Sequence, residues 1–393
     1  MIDEKIGKNC TGCEACVNIC SLEAVKMVPD NEGFYYPRVD SRKCVSCGKC
    51  LTSCPVLNPL KPETAAGQEE VYAAWNTDPV IRTESTSGGV FTALAQAVIS
   101  RGGHVVGAYY DEYFCIRHGV VSTMEELGRL RQSKYAQSRI GDVYRAVKKL
   151  LNAGEMVLFC GTPCQASGLQ KYLGRVYENL YCCDFICRGV ISPKVYRKFL
   201  QDMKPDSSVA VQKVHFKNKD YGWNRFSTKL TFQDGTVYQK DRDADYYMRG
   251  YLKHNLYLRP SCHRCAFKTL PRVSDISLGD FWGIGKYDPA LDNEMGTSVV
   301  LVNSEKGRVL LGWAAEALVL SRRRMEEVTA GNSCLLNSAP EGEYRTYFFE
   351  NMDRYQFGAL IEKIDRMSAH IKTTDRMLQW MHRVKGWITG EVK

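Results

Sequence analysis

The chain has 393 residues, of which 44% are hydrophobic and 11% aromatic, and it carries a formal net charge of +9. This length suggests two or three domains, and the apolar content excludes global disorder. No apolar run approaches the roughly 18–20 residues that span a bilayer, and the start, MIDEKIGKNC, lacks the apolar centre of a secretory signal. We therefore expect a soluble, cytoplasmic protein, in which the seventeen cysteines stay reduced and clustered ones bind metal.

Eight cysteines lie in the first 54 residues, in two groups that each read C-x-x-C-x-x-C-x-x-x-C. This spacing lets three thiolates of one loop reach three corners of a cubane cluster, while the fourth points to the other cluster. We predict two 4Fe–4S clusters. The first would be bound by Cys10, Cys13, Cys16 and Cys54, and the second by Cys44, Cys47, Cys50 and Cys20. Structural zinc and disulfides are the alternatives, but zinc sites take separated pairs of ligands. The segment resembles bacterial dicluster ferredoxins over residues 1–56.

A proline-containing linker, residues 58–70, follows this module. Beyond it, strands are predicted at 71–75, 104–110 and 156–160, and they alternate with helices at 87–103 and around 125–151. Strands that alternate with helices indicate an α/β core.

The second half of the chain has a different pattern. Residues 208–240 read as short alternating strands separated by turns, which predicts an antiparallel portion and makes the whole α+β or mixed α/β. From about residue 335 the chain is polar and is predicted to be helical. Its end, LQWMHRVKGWITGEVK, is amphipathic and basic, and we interpret it as a docked or partner-binding helix rather than a membrane anchor.

Nine cysteines lie outside the amino-terminal module. Four of them stand in suggestive contexts: Cys164 in CGTPCQ, Cys187 in DFICRGV, and Cys262 with Cys265 in SCHRCAF. From spacing alone, the C-x-x-C pair is a redox dithiol, half of a zinc site or two ligands of a cluster. Cys164 follows a predicted strand and a turn, so we expect it at the carboxyl end of the sheet. The others are interpreted as ordinary small apolar residues: Cys115, Cys160, Cys182, Cys183 and Cys334.

Six motifs occur in a fixed order in this half of the chain. They are SGGVFTALA (87–95), SKYAQS (133–138), FCGTPCQASGL (159–169), DFICRGVISP (184–193), CHRCAF (262–267) and DISLGDFWGI (275–284). Together they resemble the coenzyme F420 hydrogenase/dehydrogenase beta-subunit family. The resemblance implies FAD beside a 4Fe–4S cluster whose ligands match Cys164, Cys187, Cys262 and Cys265. It also implies that the ferredoxin module supplies electrons to the same flavin.

The predicted organisation is a small ferredoxin-like dicluster domain (1–57) and the linker, followed by two further parts. These are a flavin and iron–sulfur domain (71–335), which is mixed α/β with an antiparallel portion, and a helical carboxyl-terminal extension (336–393).

Six flavin contacts are implied by the resemblance: Ser87, Gly88, Gly89, Lys134, Tyr135 and Ser138. A helix that begins at residues 87–89 offers free N–H groups to a phosphate or a flavin edge. Without the resemblance, Gly88 and Gly89 are explained by a turn before a helix. Lys134 would then be a surface lysine and Tyr135 a core tyrosine. Asp280 and Trp282 are weaker candidates, because a buried turn with a packed tryptophan explains them as well. No G-x-G-x-x-G follows a strand.

Positive charge is concentrated in residues 188–272, which hold eighteen Lys and Arg against seven Asp and no Glu. Aromatic residues interleave with these charges, which also suits nucleic acid. We reject that interpretation because proposed cluster ligands flank the stretch and no nucleic-acid-binding motif is present. An acidic ferredoxin, a phosphorylated or carboxylated substrate, or the FAD pyrophosphate fits a basic surface instead.

The sequence therefore predicts an FAD- and 4Fe–4S-dependent oxidoreductase. Its redox partner would be coenzyme F420, a ferredoxin or another conjugated organic molecule that donates or accepts hydride, and we expect a homo- or hetero-oligomer. The alternatives are a non-catalytic electron-transfer component of a larger complex and a metal-stabilised interaction protein without flavin. No proton donor is assigned, since His215, His254 and His263 are candidates only by location.

Overall fold

The computed structural model describes residues 1–62, 65 and 67–369. The amino-terminal part, residues 1–57, is called the cysteine-rich module below. It contains helices α1 (Ile2–Ile6), α2 (Ala15–Ile19) and α3 (Lys49–Thr52), and the antiparallel strands β1 (Val25–Pro29) and β2 (Tyr35–Val39). Its own apolar core is small and includes cysteines, as expected of a segment that depends on bound metal for folding.

The rest of the described chain alternates strands and helices. Its strands are β3 (Glu70–Asn76), β4 (His104–Tyr110), β5 (Ile116–Val121), β6 (Val157–Cys160), β7 (Leu180–Phe185), β8 (Val211–Asn218), β9 (Ser227–Phe232), β10 (Val237–Asp241), β11 (Ile276–Asp280), β12 (Ser298–Val302) and β13 (Leu318–Arg322). Its helices are α4 (Pro79–Glu84), α5 (Val90–Ile99), α6 (Met124–Leu127), α7 (Val143–Asn152), α8 (Pro163–Leu173), α9 (Pro193–Asp202), α10 (Tyr246–Met248), α11 (Glu305–Trp313), α12 (Met325–Gly331) and α13 (Arg345–Asn351), and residues 357–369 are also helical. The predicted mixed α/β class is confirmed.

The described residues form one eight-stranded mixed sheet in the order β13-β3-β12-β11-β7-β6-β4-β5. Its middle strands β4, β6, β7 and β11 run parallel to one another. Helices α5 and α11 cover one face of the sheet, and α7 and α8 cover the other. The carboxyl ends of β6, β7 and β11 therefore meet at one edge, at Cys160, Phe185 and Asp280, where α/β proteins place their ligands.

A second layer is built on the three-stranded antiparallel sheet β10-β9-β8, as the alternating pattern predicts. Its aromatic core also includes Phe348, Phe357 and Ile361 from the carboxyl-terminal extension, which are fully buried. The extension was expected to be polar, but apolar residues spaced three and four apart give residues 357–369 a buried face. The basic end of the extension, residues 370–393, lies outside the described residues. None of the described helices is long and apolar enough to cross a membrane.

The cysteine-rich module packs directly on the rest of the chain. The key residue is Arg259, whose side chain is fully buried. Its guanidinium donates to the Cys10 carbonyl at 2.6 Å, to the Gln137 side chain at 2.8 Å and to the Tyr35 carbonyl at 2.9 Å. Because a buried guanidinium needs its donors satisfied, the bonds to Cys10 and Tyr35 hold the module, while the bond to Gln137 of the body orients the guanidinium.

A buried ion pair adds a second connection. Glu14, which is 2% exposed, pairs with Arg139 at 2.5 Å and accepts hydrogen bonds from the backbone N–H groups of Ile140 and Gly141. Glu14 has a left-handed backbone with φ of 60° at the start of α2, which directs its carboxylate to the body of the protein. The module is therefore held by polar contacts as well as by packing.

Candidate redox site

The first cysteine group surrounds a small cavity inside the cysteine-rich module. Its wall contains Cys10, Cys13, Cys16 and Cys54, the four predicted ligands of the first cluster, together with apolar side chains such as Ile2 and Ile6. Burial raises the pKa of the Cys13, Cys16 and Cys54 thiols, so the thiolate forms are unfavourable without a positive charge nearby. The iron of a cluster would supply that charge.

The second cysteine group lies nearer to the surface. Burial raises the pKa of the Cys50 thiol, and the neighbouring Cys44 and Cys47 add to this effect. Cys47 is exposed, and Cys20 packs with Cys50 on the small core of the module. The structure thus brings Cys44, Cys47 and Cys50 together, with Cys20 on the same core. Their assignment to one cluster stays a prediction.

The four cysteines of the body also converge. Cys164 lies in the first turn of α8, Cys187 follows β7, and Cys262 and Cys265 belong to the loop that begins at Pro260. Burial raises the pKa of the Cys164, Cys187 and Cys262 thiols to about 12, with further increases from one another and from Cys265. Residues from three distant segments therefore form one thiol cluster.

The chemistry of this donor set fits an iron–sulfur cluster. A zinc ion draws four thiolates to within about 4 Å of one another, whereas a cubane binds each thiolate at a different corner. Four thiols without a carboxylate are the usual ligands of a 4Fe–4S cluster.

The first cavity and the body cysteines are close neighbours. Gly168 in α8 lies so close to Cys13 that a methyl group added there would be 3.1 Å from the Cys13 sulfur. The Thr11 hydroxyl lies beside the Cys164 thiol and favours its ionised form. The nearby Cys164 in turn contributes to the raised pKa of the Cys13 thiol. The two sites are therefore separated by little more than α8 and the loop around Thr11.

A cavity of about 520 Å³ opens at the carboxyl end of the sheet, within the size range of cofactor sites. Five of the six predicted flavin contacts line it: Ser87, Gly89, Lys134, Tyr135 and Ser138. Asp280, Trp282 and the proposed ligand Cys187 line it as well. The cavity is thus adjacent to the body cysteines.

Gly88 is placed differently from the prediction. Helix α5 begins at Val90, and the Gly88 N–H donates to the Ser298 hydroxyl at 2.9 Å. A methyl group at Gly88 would lie 2.3 Å from the Ala74 carbonyl oxygen. Gly88 therefore allows the loop to pack closely on the sheet, and its N–H is not free for a phosphate.

Lys134 lines the cavity but offers no free hydrogen-bond donor. Its ammonium donates to the carbonyls of Arg129, Leu130 and Arg131 at 2.5–3.2 Å. Burial lowers the pKa of Lys134 to about 7. The lysine therefore stabilises the turn that forms one wall of the cavity, and it is buried rather than a surface lysine.

The other candidates have both structural and cavity-lining roles. The Tyr135 ring packs edge-on against Phe216 at 5.7 Å, and burial raises the pKa of its hydroxyl. Asp280 accepts hydrogen bonds from Lys217 at 2.6 Å and from the Trp223 indole at 2.9 Å. Trp282 stacks on Trp223 with ring centroids 4.8 Å apart. The packed-tryptophan interpretation is thus compatible with a place in the cavity wall.

Sequence reasoning missed several residues of this wall. Cys160 and Cys334, interpreted as ordinary, both line the cavity, as does His118. Its cationic side chains outnumber its carboxylates; the cations are Arg131, Lys134, Arg188, Lys217 and Arg242, and the carboxylates are Asp184 and Asp280. Arg188 directly follows Cys187 in its motif, which was an available signal.

The histidines named by location do not line the cavity. His254 pairs with Asp365 at 2.9 Å, and the His263 Nδ1 lies 2.9 Å from the Ala339 carbonyl. His215 is half-buried on β8, and burial lowers its pKa to about 4. None of the three belongs to the described cavity wall.

Sequence profiles of known families match most of the chain. The profile for the N-terminal part of the coenzyme F420 hydrogenase/dehydrogenase beta subunit matches residues 71–145, and the profile for its C terminus matches residues 154–328. Together they cover more than half of the 393 residues. The chain belongs to the coenzyme F420 hydrogenase/dehydrogenase beta-subunit family. A 4Fe-4S dicluster domain profile matches residues 9–58, which identifies the module of this family member as an iron–sulfur domain.

Individual relatives match smaller parts. A polyferredoxin-like protein of Methanocaldococcus jannaschii is 33% identical over 76 residues, 16% of this chain and 45% of that protein. One component of a Na(+)-translocating ferredoxin:NAD(+) oxidoreductase complex from Acetobacterium woodii is 36% identical over 70 residues, 18% of this chain and 19% of that protein. The chain thus spans less than half the length of these curated relatives.

Among solved structures, a chain of the F420-reducing (NiFe) hydrogenase complex from Methanosarcina barkeri is similar. The TM-score is 0.45 at 19% sequence identity, over 75% of this chain and 91% of that chain.

Proposed function

We propose that this protein is an iron–sulfur flavoprotein oxidoreductase that holds three 4Fe–4S clusters and FAD. The observation that carries the proposal is the consecutive placement of the sites: Cys13 of the first cavity neighbours Cys164, and Cys187 lines the 520 Å³ cavity. Bound FAD would exchange single electrons with the clusters and a hydride, which is two electrons and one proton, with F420 or another conjugated organic molecule; a ferredoxin would be a one-electron partner.

The cavity suits an anionic, partly aromatic ligand. Its wall combines an excess of cations with the rings of Tyr135, Tyr251 and Trp282. The Nε atoms of Arg131 and Arg188 are buried and have no hydrogen-bond partner within the described residues. Buried donors of this kind are usually satisfied by a ligand or water, and a pyrophosphate is a matching acceptor.

A second candidate function is a component that transfers electrons within a complex without a substrate of its own. The exposure of Cys47 favours it, because a cluster at that position would be accessible to another redox protein. Both functions predict a ferredoxin or a further protein chain as partner, and the family description of a beta subunit supports a hetero-oligomer.

Anaerobic purification of the full chain tests the proposal. We expect about twelve iron atoms, a similar amount of acid-labile sulfide and one FAD per chain. The purified protein would then be mixed with F420H2, NAD(P)H or reduced ferredoxin, and reduction followed by absorbance. Zinc without iron or flavin would overturn the proposal. If the protein contains clusters and flavin but reacts with no hydride carrier, the second candidate function, electron transfer within a complex, is favoured.

A further inference from the structure

His118 is a buried side chain in the wall of the large cavity. It lies on β5, its exposure is 5%, and its ring stacks on the Phe159 ring with centroids 5.7 Å apart. It lies outside the six sequence motifs. Because a buried imidazole must satisfy two ring nitrogens, its hydrogen bonds reveal what the cavity offers to a ligand.

One nitrogen of the ring is engaged and the other is not. The His118 Nε2 lies 3.2 Å from the Cys160 carbonyl oxygen. A carbonyl only accepts, so Nε2 carries the proton in this bond. The Nδ1 is buried and has no partner within the described residues. Burial lowers the pKa of His118 to about 4, so at neutral pH Nδ1 presents a lone pair.

The position of this acceptor is informative. The Cys160 carbonyl accepts the hydrogen bond from His118. Two residues further along the chain, the Thr162 hydroxyl lies 3.1 Å from the Cys164 sulfur. The nearby Ser138 hydroxyl already accepts from the Gln165 side chain at 3.0 Å. His118 therefore belongs to the part of the wall that leads to the body cysteines, from which a bound redox-active ring would exchange electrons with them.

We propose that His118 Nδ1 accepts a hydrogen bond from the imide N–H of the flavin ring and thereby orients the ring in the cavity. This inference rests on the proposed flavin function. Oxidised isoalloxazine has one ring N–H, at N3 between two carbonyls, so it matches a single buried acceptor. The neighbouring Lys134 ammonium, which acts on His118 electrostatically, suits the partial negative charge of those carbonyls.

A cycle of ligand and protein changes tests the hydrogen bond. The full chain with its clusters, freed of flavin, is titrated with FAD and with 3-methyl-FAD, and each Kd is measured by flavin fluorescence. Wild-type protein should bind 3-methyl-FAD at least about tenfold more weakly, the size expected for a lost buried hydrogen bond. His118→Phe keeps a ring on Phe159 but removes the acceptor. It should bind FAD about tenfold more weakly and lose the preference.

Two further variants serve as controls. His104→Phe changes a histidine on the adjacent strand β4 whose Nδ1 bonds the Ser122 hydroxyl outside the cavity wall, and it should bind both flavins like wild type. If His118→Phe lacks the iron of wild-type protein, His118→Leu replaces it, because leucine also removes the acceptor while keeping the buried site apolar.

The outcomes separate the two proposals. Wild-type protein that does not bind FAD contradicts the proposed function. Protein that binds FAD and 3-methyl-FAD equally contradicts only the role of His118, as does a variant at residue 118 that keeps the wild-type preference. Loss of the preference in the variant, with the His104 control unchanged, supports the hydrogen bond.

Discussion

The cysteine-rich module and the body of the protein arrange their cysteines in different ways. In the module, four cysteines lie within eleven residues, so a single loop brings three of them together. In the body, Cys164, Cys187, Cys262 and Cys265 come from three segments, and the parallel strands β6 and β7 are needed to bring the first two close. A local site is encoded by spacing, whereas a distributed site is encoded by the whole fold. Four predictions test this difference.

The largest effect is expected from removing one proposed ligand of the distributed site. Cys164→Ser should lower the iron content by about four atoms, because a cubane held by three cysteines and a serine is lost, while the module keeps its clusters. Iron and acid-labile sulfide measure the change. Cys115→Ser, an ordinary cysteine outside the cavity wall, is the matched control. Unchanged iron in Cys164→Ser would contradict the third cluster.

The next effect concerns the dependence of the module on the body. Arg259→Met should lower the free energy of unfolding by about 2–4 kcal/mol, since two buried acceptors and the partly buried Tyr35 carbonyl lose a charged donor. Denaturant titration under anaerobic conditions measures it. Arg42→Met removes an exposed ion pair with Asp40 in the same module and should change stability by less than about 0.5 kcal/mol. Equal effects would show that the module is stable without the body.

A smaller effect is expected where the two kinds of site touch. Gly168→Ala places a methyl group 3.0 Å from the Cys13 Cβ and should cost about 1–3 kcal/mol through crowding. Gly312→Ala in α11 has no neighbour within 4 Å and should stabilise by up to about 1 kcal/mol, because alanine favours a helix. Thermal unfolding compares the two variants. A stabilised Gly168→Ala would show that the module and α8 are not in tight contact.

The smallest effect is a pH dependence from the cavity wall. Burial lowers the pKa of Lys134 to about 7 in the folded protein, below its unfolded value of about 10.4. Between these values the unfolded chain binds more protons, so this lysine makes the free energy of unfolding rise with pH, by up to about 1.4 kcal/mol per pH unit.

Lys134→Met should remove that contribution to the slope between pH 7 and 9. Lys149→Met on the exposed side of α7 should leave the slope unchanged. Unfolding free energies at several pH values give both slopes, and a wild-type slope in Lys134→Met would show that the buried lysine keeps its ordinary pKa.

Much of the fold follows from sequence because the signals are local. Strands β3, β4 and β6 lie where apolar runs predict them, and Cys164 is at the carboxyl end of the sheet as its turn indicates. Helix α5 begins at Val90 and not at the predicted residue 87, because Gly89, with φ of 85°, ends the preceding loop. The helix at 357–369 was expected to be polar but is partly buried. The core that its apolar face contacts exists only in the folded protein.

The cavity wall was harder to predict than the cysteines. His118 and Cys334 are more than 200 residues apart and meet only through the tertiary structure. No periodicity or spacing in one sequence connects them. Arg188 lies between these two cases. It belongs to the motif that contains Cys187, but the motif does not indicate that its side chain lines the cavity.

The burial of Arg259 between the module and the body has a kinetic consequence. A carrier domain that swings between donor and acceptor needs a weak, wet interface, and this interface is instead closed by a fully desolvated cation. Electrons would therefore tunnel across a constant gap rather than wait for a domain to diffuse. Internal transfer should then be independent of solvent viscosity, and encounter with an external partner would be the step that viscosity and ionic strength control.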